Sequence, residues 1–198
     1  MAGRPPATSR LDIERAAFAL FAEQGFDETT VDDIAAAARI SRRTFFRYFA
    51  SKNDVVWGEF DRGLEHLRET LGAADPTQAW LTSLRLAVVE FNALAPEQVP
   101  LHRQRMELIL HVPALQAYAT LMYARWRAVV ADYVAGRTGR KPDDFVPRLV
   151  GHTALAAAVA AYEQWLAEPS AALGDLLDEA MHYLARGLIA TGEDPGHG

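Results

Sequence analysis

The sequence predicts an all-α fold of about nine helices, in which a small N-terminal helix-turn-helix domain of three helices precedes a larger helical domain. Three observations support this. Strand signals are nearly absent, and apolar positions recur at helical spacing throughout. Ser9, Thr30, Ser41 and Ser51 each stand where a side chain can cap the start of a helix. The first three helices are short and crowd into about fifty residues, while the later ones are longer and more hydrophobic.

Ser9 caps the first helix, where Ile13, Ala16, Ala17, Leu20 and Phe21 make an apolar stripe and Gly25 supplies the stop. Thr30 caps the second, with Asp33 as reciprocal partner in a capping box, and this helix ends near Ala38. Ser41 caps the third. Ser51 caps the fourth, paired with Asp54, and this helix is expected to run to about Gly72. Asp75-Pro76 opens a fifth, since proline fits a first turn. Pro96 and Pro100 bracket a break, after which residues 101–111 form a sixth helix. A seventh starts at Pro113 and lasts to about Ala135, and "GRTGRKPDD" is a loop. The eighth covers about 145–167 and the ninth runs from Ser170 to about Ala190. The domains expected are a flexible arm at 1–9, a head at 10–55, a larger domain at 56–190 and a disordered tail at 191–198.

Composition narrows the function. The chain has no cysteine, which excludes disulfides and thiolate metal sites. No metal site and no cofactor are expected. The start "MAGRPPATSR" has no apolar signal region, and no apolar run is read as a membrane span, so a cytoplasmic protein without a membrane partner is expected. The net charge is −6, yet residues 39–52 carry five basic side chains and no acid. A basic patch on an acidic body suits a protein that meets a polyanion at one surface only.

That patch lies on the third helix and its flanks, "SRRTFFRYFASK". With Arg42 at zero on a wheel of about 100° per residue, Phe45 and Phe49 fall together near 300–340°. Arg43, Thr44, Arg47 and Tyr48 fall on the opposite side, at about 100–240°. The phenylalanines can anchor the helix to the first one while two guanidiniums and two hydroxyls point outward. Arginine can read guanine in the major groove, and Thr, Tyr and Lys suit phosphate oxygens. Lys52 adds charge at the start of the fourth helix. Phe46, at about 40°, lies at the margin. An ordinary helical corner has no reason to collect cations on its second helix. In the arm, Arg4 and Arg10 could reach a minor groove, but a plain disordered terminus is the preferred reading.

The stretch "FDETTVDDIAAAARISRRTFFRYFASKNDVV" resembles the N-terminal domain of the TetR family of transcriptional regulators, over about residues 10–56. The resemblance implies that the second and third helices enter the major groove. It places Arg42 and Arg43 at bases, and Thr30, Thr44, Tyr48 and Lys52 at phosphates. Two departures stand out. The turn has Arg39 where the family usually has glycine, at a left-handed cost of about 1 kcal/mol that a phosphate contact would offset. Phe46 replaces a frequent tyrosine, which loses a phosphate hydrogen bond and leaves a ring able to touch a thymine methyl. The DNA-binding set is therefore Thr30, Arg39, Arg42, Arg43, Thr44, Phe46, Arg47, Tyr48 and Lys52.

The larger part shows no G-x-S-x-G, no H-E-x-x-H and no phosphate loop, so no enzyme is expected. Glu107 and His111, four apart, are half of a metal site at most, and an ion pair is the plainer reading. By resemblance, the middle helices enclose a small-molecule pocket, to which Trp57, Phe60, Arg103, Arg105, Met106, Tyr118, Met122 and Trp126 are assigned. The last two helices then form the bundle of a homodimer, with Gly151, Leu155, Val159, Tyr162, Leu177, Met181 and Leu184 at the interface. "RRTFFRYFASKNDVVWGEFD" also resembles a narrower group, regulators encoded with mycofactocin biosynthesis genes and reported to respond to long-chain acyl-CoA. The expected function is a homodimeric, ligand-responsive regulator, a repressor released from a palindromic double-stranded operator by a small hydrophobic effector. A helical ligand-binding protein or enzyme without DNA binding, and a DNA-binding regulator without an effector, are the alternatives.

Overall fold

A computed structural model describes residues 9–187. The expectations for Arg4 and for the tail at 191–198 lie outside the described residues, while the last helix, expected to run from Ser170 to about Ala190, covers Leu173–Arg186 and is ended by Gly187 at φ 76°. Among the described residues, the chain is helical, with ten α-helices and one short 3-10 turn. They are α1 (Arg10–Gln24), α2 (Val31–Ala37), α3 (Arg42–Tyr48), α4 (Lys52–Trp57), α5 (Phe60–Gly72), α6 (Trp80–Phe91), α7 (Val99–His111), α8 (Pro113–Thr138), α9 (Phe145–Ala167) and α10 (Leu173–Arg186). Two compact units divide them, one of Met1–Glu59 with Glu97–Ala119, the other of Phe60–Pro96 with Thr120–Gly198. The division differs from a single cut near residue 55, because α7 and the start of α8 cluster with the head.

In the first unit, Ser9 and Asp12 close a capping box on α1, and Gly25 ends it at φ 89°. The buried stripe of α1 is Ile13, Glu14, Ala17, Phe18 and Phe21, rotated from the expected one so that Ala16 and Leu20 lie at its edge. The rotation brings a carboxylate inside. The Glu14 side chain is only 8% exposed and lies between two guanidiniums, with Arg105 Nη2 at 3.0 Å and Arg10 Nε at 3.4 Å. Those guanidiniums also collect carbonyls left over at helix ends. Arg10 donates to Tyr48 O at 3.0 Å and to Gly58 O at 2.7 Å. Arg105 donates to Val56 O. His102, one turn before Arg105, has its pKa lowered to about 4, by burial first and then by the Arg105 charge. It therefore stays neutral and adds no second cation there.

The expected helix from Ser51 to Gly72 is two helices, broken at Gly58. Gly58 sits at φ 55°, and a Cβ there would come within 2.5 Å of Arg105 Nη1. Glycine alone accepts both the backbone angle and that approach, so α4 stops.

In the second unit, α10 lies along α9 and α6, and α5 along α6. Leu64, Leu67, Leu84, Val88, Val130, Val134, Leu177 and Met181 are buried at its core. The fifth expected helix begins later than proline suggested, because Asp75 Oδ1 accepts from Thr77 N at 2.8 Å and from Thr77 Oγ1 at 2.7 Å, closing a turn instead. Arg137 then donates to Pro76 O at 3.1 Å and Gln78 O at 2.6 Å. Gly139, at φ 67°, ends α8 with Arg140 N bonded to Ala135 O. α9 is long and apolar enough, by length and composition, to cross a membrane, contrary to the reading that no run qualifies. Ala154, Ala158, Ala161 and Trp165 on it are buried within the unit, as in a core helix.

Removing the central carboxylate leaves two guanidiniums facing each other under cover. Glu14→Ala is expected to destabilise the first unit by about 3–5 kcal/mol. Denaturant titration followed by tryptophan fluorescence checks it, and a loss below about 1 kcal/mol would refute a central role for this carboxylate.

Candidate nucleic-acid interface

The interface is assembled from α2, a turn and α3. Thr30 Oγ1 accepts from Asp33 N at 3.2 Å, and Asp33 Oδ2 accepts from Thr30 N at 2.9 Å. The Thr30 hydroxyl, donating to Asp33 Oδ2 at 2.6 Å, and the Thr30 N–H both stabilise the charged Asp33 and lower its pKa. Arg39 follows the helix at φ 55°. Its N–H donates to Ala36 O at 3.0 Å and the Ile40 N–H to Ala35 O at 2.9 Å, which is a Schellman closure made without glycine. The turn residue is exposed. Ser41 Oγ then caps α3 by accepting from Thr44 N at 3.1 Å.

α3 divides as the wheel predicts. Phe45 and Phe49 are buried, with ring centroids 5.6 Å apart. Arg10 lies over the Phe49 ring at 4.2 Å, so the hub around Glu14 also seats α3. Arg43 and Arg47 are exposed, Thr44 and Tyr48 half-buried. Arg47 stacks over the Tyr48 ring at 5.2 Å. This leaves cations and hydroxyls on one outward face over an apolar underside, a surface suited to a phosphate backbone and base edges.

Two members of the expected set have other partners. Arg42 Nη1 donates to both carboxylate oxygens of Asp32, each at 2.8 Å, and its guanidinium lies 5.3 Å from the Phe46 ring centroid. Lys52 Nζ donates to Phe26 O at 2.6 Å, Thr29 O at 2.8 Å and, more weakly, Asp27 O at 3.3 Å. An ammonium has three donors, and these three carbonyls take them. Partial burial lowers the Lys52 pKa. Its geometry is that of a staple between α4 and the loop after α1. Asp32 and Glu14 were missing from the candidates. Arg10 and Glu14, four apart with Glu14 beside Ala17 and Phe18 on the stripe, were the available signal.

The candidate ligand residues fall in both units: Trp57, Arg103, Arg105, Met106 and Tyr118 in the first, Phe60, Met122 and Trp126 in the second. Arg105 is tied to Glu14 and Val56 O, and Tyr118 donates to Asp54, so both hold α4 and do not present a free head for a ligand. Trp57, Met106 and Trp126 are buried; Phe60, Arg103 and Met122 are half-buried. The His111 Nδ1 lies 2.9 Å from a Glu107 carboxylate oxygen, so the two are partners of each other. Of the dimer candidates, four belong to the chain's own core. A Cβ on Gly151 would meet Arg127 O at 3.0 Å, Tyr162 donates to Asn92 Oδ1 at 2.7 Å, and Leu177 and Met181 are fully covered. Leu155, Val159 and Leu184 remain half-buried. The most exposed apolar residues of α9 lie elsewhere, at Phe145 (77%) and Leu149 (45%).

Comparison with known proteins agrees with this geometry. Residues 13–56 match the bacterial regulatory proteins of the tetR family, and residues 78–189 match the MftR C-terminal domain. A Mycobacterium tuberculosis protein named as a mycofactocin biosynthesis transcriptional regulator, MftR, is 44% identical over 186 residues, 94% of each chain. The HTH-type transcriptional regulator TcmR of Streptomyces glaucescens is 29% identical, over 95% of this chain and 88% of its own. Among solved structures, the TetR-family repressor FadR of Thermus thermophilus, in complex with lauroyl-CoA, superposes with a TM-score of 0.59 at 26% identity, covering 96% of this chain and all of its own. The chain therefore belongs to the TetR family of bacterial transcriptional regulators, with a C-terminal domain of the MftR type.

Proposed function

We propose that the protein is a homodimeric repressor that leaves a palindromic operator when a small hydrophobic effector binds, and that it works in the cytoplasm without catalytic activity of its own. The observation that carries this reading is the outward face of α3, where Arg43, Arg47, Thr44 and Tyr48 stand over a buried phenylalanine underside. A long-chain acyl-CoA is the proposed effector. The likeness to a repressor solved with lauroyl-CoA supports that choice.

The same reading gives α4 its role. It is gripped by Tyr118 through Asp54 and by Arg105 through Val56 O, and both partners lie in the Glu97–Ala119 segment. An effector that shifts this segment moves α4. It must bind the shifted conformation better than the operator-bound one, because equal affinity changes nothing.

Phe145 and Leu149, with Val159 nearly three turns on, line one side of α9, and Tyr183 and Leu184 stand on α10. These support a two-fold interface there. Recognition helices would then lie about 34–36 Å apart or slightly more.

Fluorescence anisotropy with the DNA upstream of the gene tests the function. Salt-sensitive binding that palmitoyl-CoA reverses is expected. Ligand binding without any duplex binding would favour a sequestering or catalytic protein, and duplex binding indifferent to acyl-CoA a regulator without this effector. Arg43→Ala should weaken binding by about 1–3 kcal/mol and relax specificity at one base position. Lys52→Ala should lower the thermal midpoint, with little change in the salt slope; a slope reduced by about one would restore a phosphate role for it. Phe145→Glu with Leu149→Glu should give a monomer in light scattering. A dimer unchanged by both would refute the α9 face.

A further inference from the structure

Phe46 is the one large apolar side chain on α3 that is exposed, at 45%. Its ring is not loose. It meets the buried Phe45 ring edge-on, with centroids 5.4 Å apart and planes at 88°. The Arg42 guanidinium lies 5.3 Å from its centroid, and Asp32 holds that guanidinium by two contacts of 2.8 Å. Asp32 comes from the first turn of α2, so the ring is fixed from both helices of the motif. An exposed phenyl held this way, among cations and a neutralised carboxylate, has a chemistry different from its neighbours. It can neither donate to a phosphate nor pair with a base edge.

We infer that Phe46 reads the 5-methyl group of a pyrimidine in the major groove, and that Asp32 positions the ring by holding Arg42 against it. This rests on the reading that α3 enters the major groove. Guanine offers N7 and O6 there, adenine N7 and an amino group, and cytosine an amino group. A phenyl ring laid on any of these removes water from a polar atom and returns no hydrogen bond. Thymine offers a methyl group, as does 5-methylcytosine, and covering it removes apolar surface from water on both sides. The pairing with Asp32 has a second effect. It uses two hydrogen-bond contacts of Arg42, the residue otherwise placed to read guanine, and so shifts readout at this end of α3 from hydrogen bonding to shape and apolar contact.

The experiment is a substitution of single atoms groups in DNA. A tight duplex is first selected from a random pool with the wild-type protein. Each thymine is then replaced by deoxyuridine, which deletes only the methyl group, and affinities are measured for wild type, Phe46→Ala, Phe46→Leu and Asp32→Ala. At one thymine per half-site, wild type should lose about three- to tenfold in affinity on the change to uracil. Phe46→Ala should show less than about a twofold loss there, and Phe46→Leu should keep part of the effect. Asp32→Ala should reduce the uracil penalty at that position while leaving the Arg43→Ala penalty unchanged. If no thymine shows the effect, 5-methylcytosine is placed at each cytosine in turn. A gain in wild type that Phe46→Ala lacks would assign the methyl to that base instead. Methyl sensitivity that is absent, or that persists in Phe46→Ala, overturns the proposal while DNA binding itself stands. Failure to select any duplex overturns both.

Discussion

A single buried carboxylate organises the head. Glu14 accepts charge from Arg10 on its own helix and from Arg105 on α7. Neither arginine spends its whole guanidinium on it. Each also takes a carbonyl from the end of a short helix: Tyr48 from α3, Val56 from α4 and Gly58 just beyond it. Helices of six or seven residues cannot hold themselves together in water. Their last carbonyls need partners, and here the partners are cations fixed in place by a third residue. The recognition helix, the connecting helix and α7 thus depend on the same few groups. A buried ion cluster is seldom the most stable solution for a core, but it fixes one geometry strongly, since shifting any member strands a charge.

That arrangement accounts for the division of the chain. α7 follows α6 in sequence, yet it clusters with the head because Arg105 and Tyr118 both reach α4. The same two residues had been assigned to a ligand pocket on the strength of their chemistry. A guanidinium near apolar side chains looks the same in a sequence whether it awaits an anion or already has one. The difference is a partner some ninety positions away.

Local features were legible in the residues. The caps at Ser9, Thr30, Ser41 and Ser51, the sidedness of α3 and the span of α9 follow from short-range rules, and the left-handed Arg39 from the glycine usual at that place in the family; all are present. What depended on distant contacts was not legible. The engagement of Lys52 comes from carbonyls more than twenty residues earlier, and the covering of Leu177 and Met181 from α9 and α6. An amphipathic last helix shows that it buries one face. It does not show whether its own chain or a second copy covers that face.

The turn between α2 and α3 places an arginine in a conformation that glycine adopts without cost. The side chain is exposed, and nothing in the turn itself demands it. The head has therefore given up a small amount of folding stability at a turn that sets a further positive charge beside the arginines of α3. A glycine there would make a sturdier protein with one cation fewer beside α3. On the proposed DNA-binding reading, stability and affinity are set against each other at this one position, and a screen for heat-resistant variants would drift toward the glycine and lose regulatory tightness as it did so.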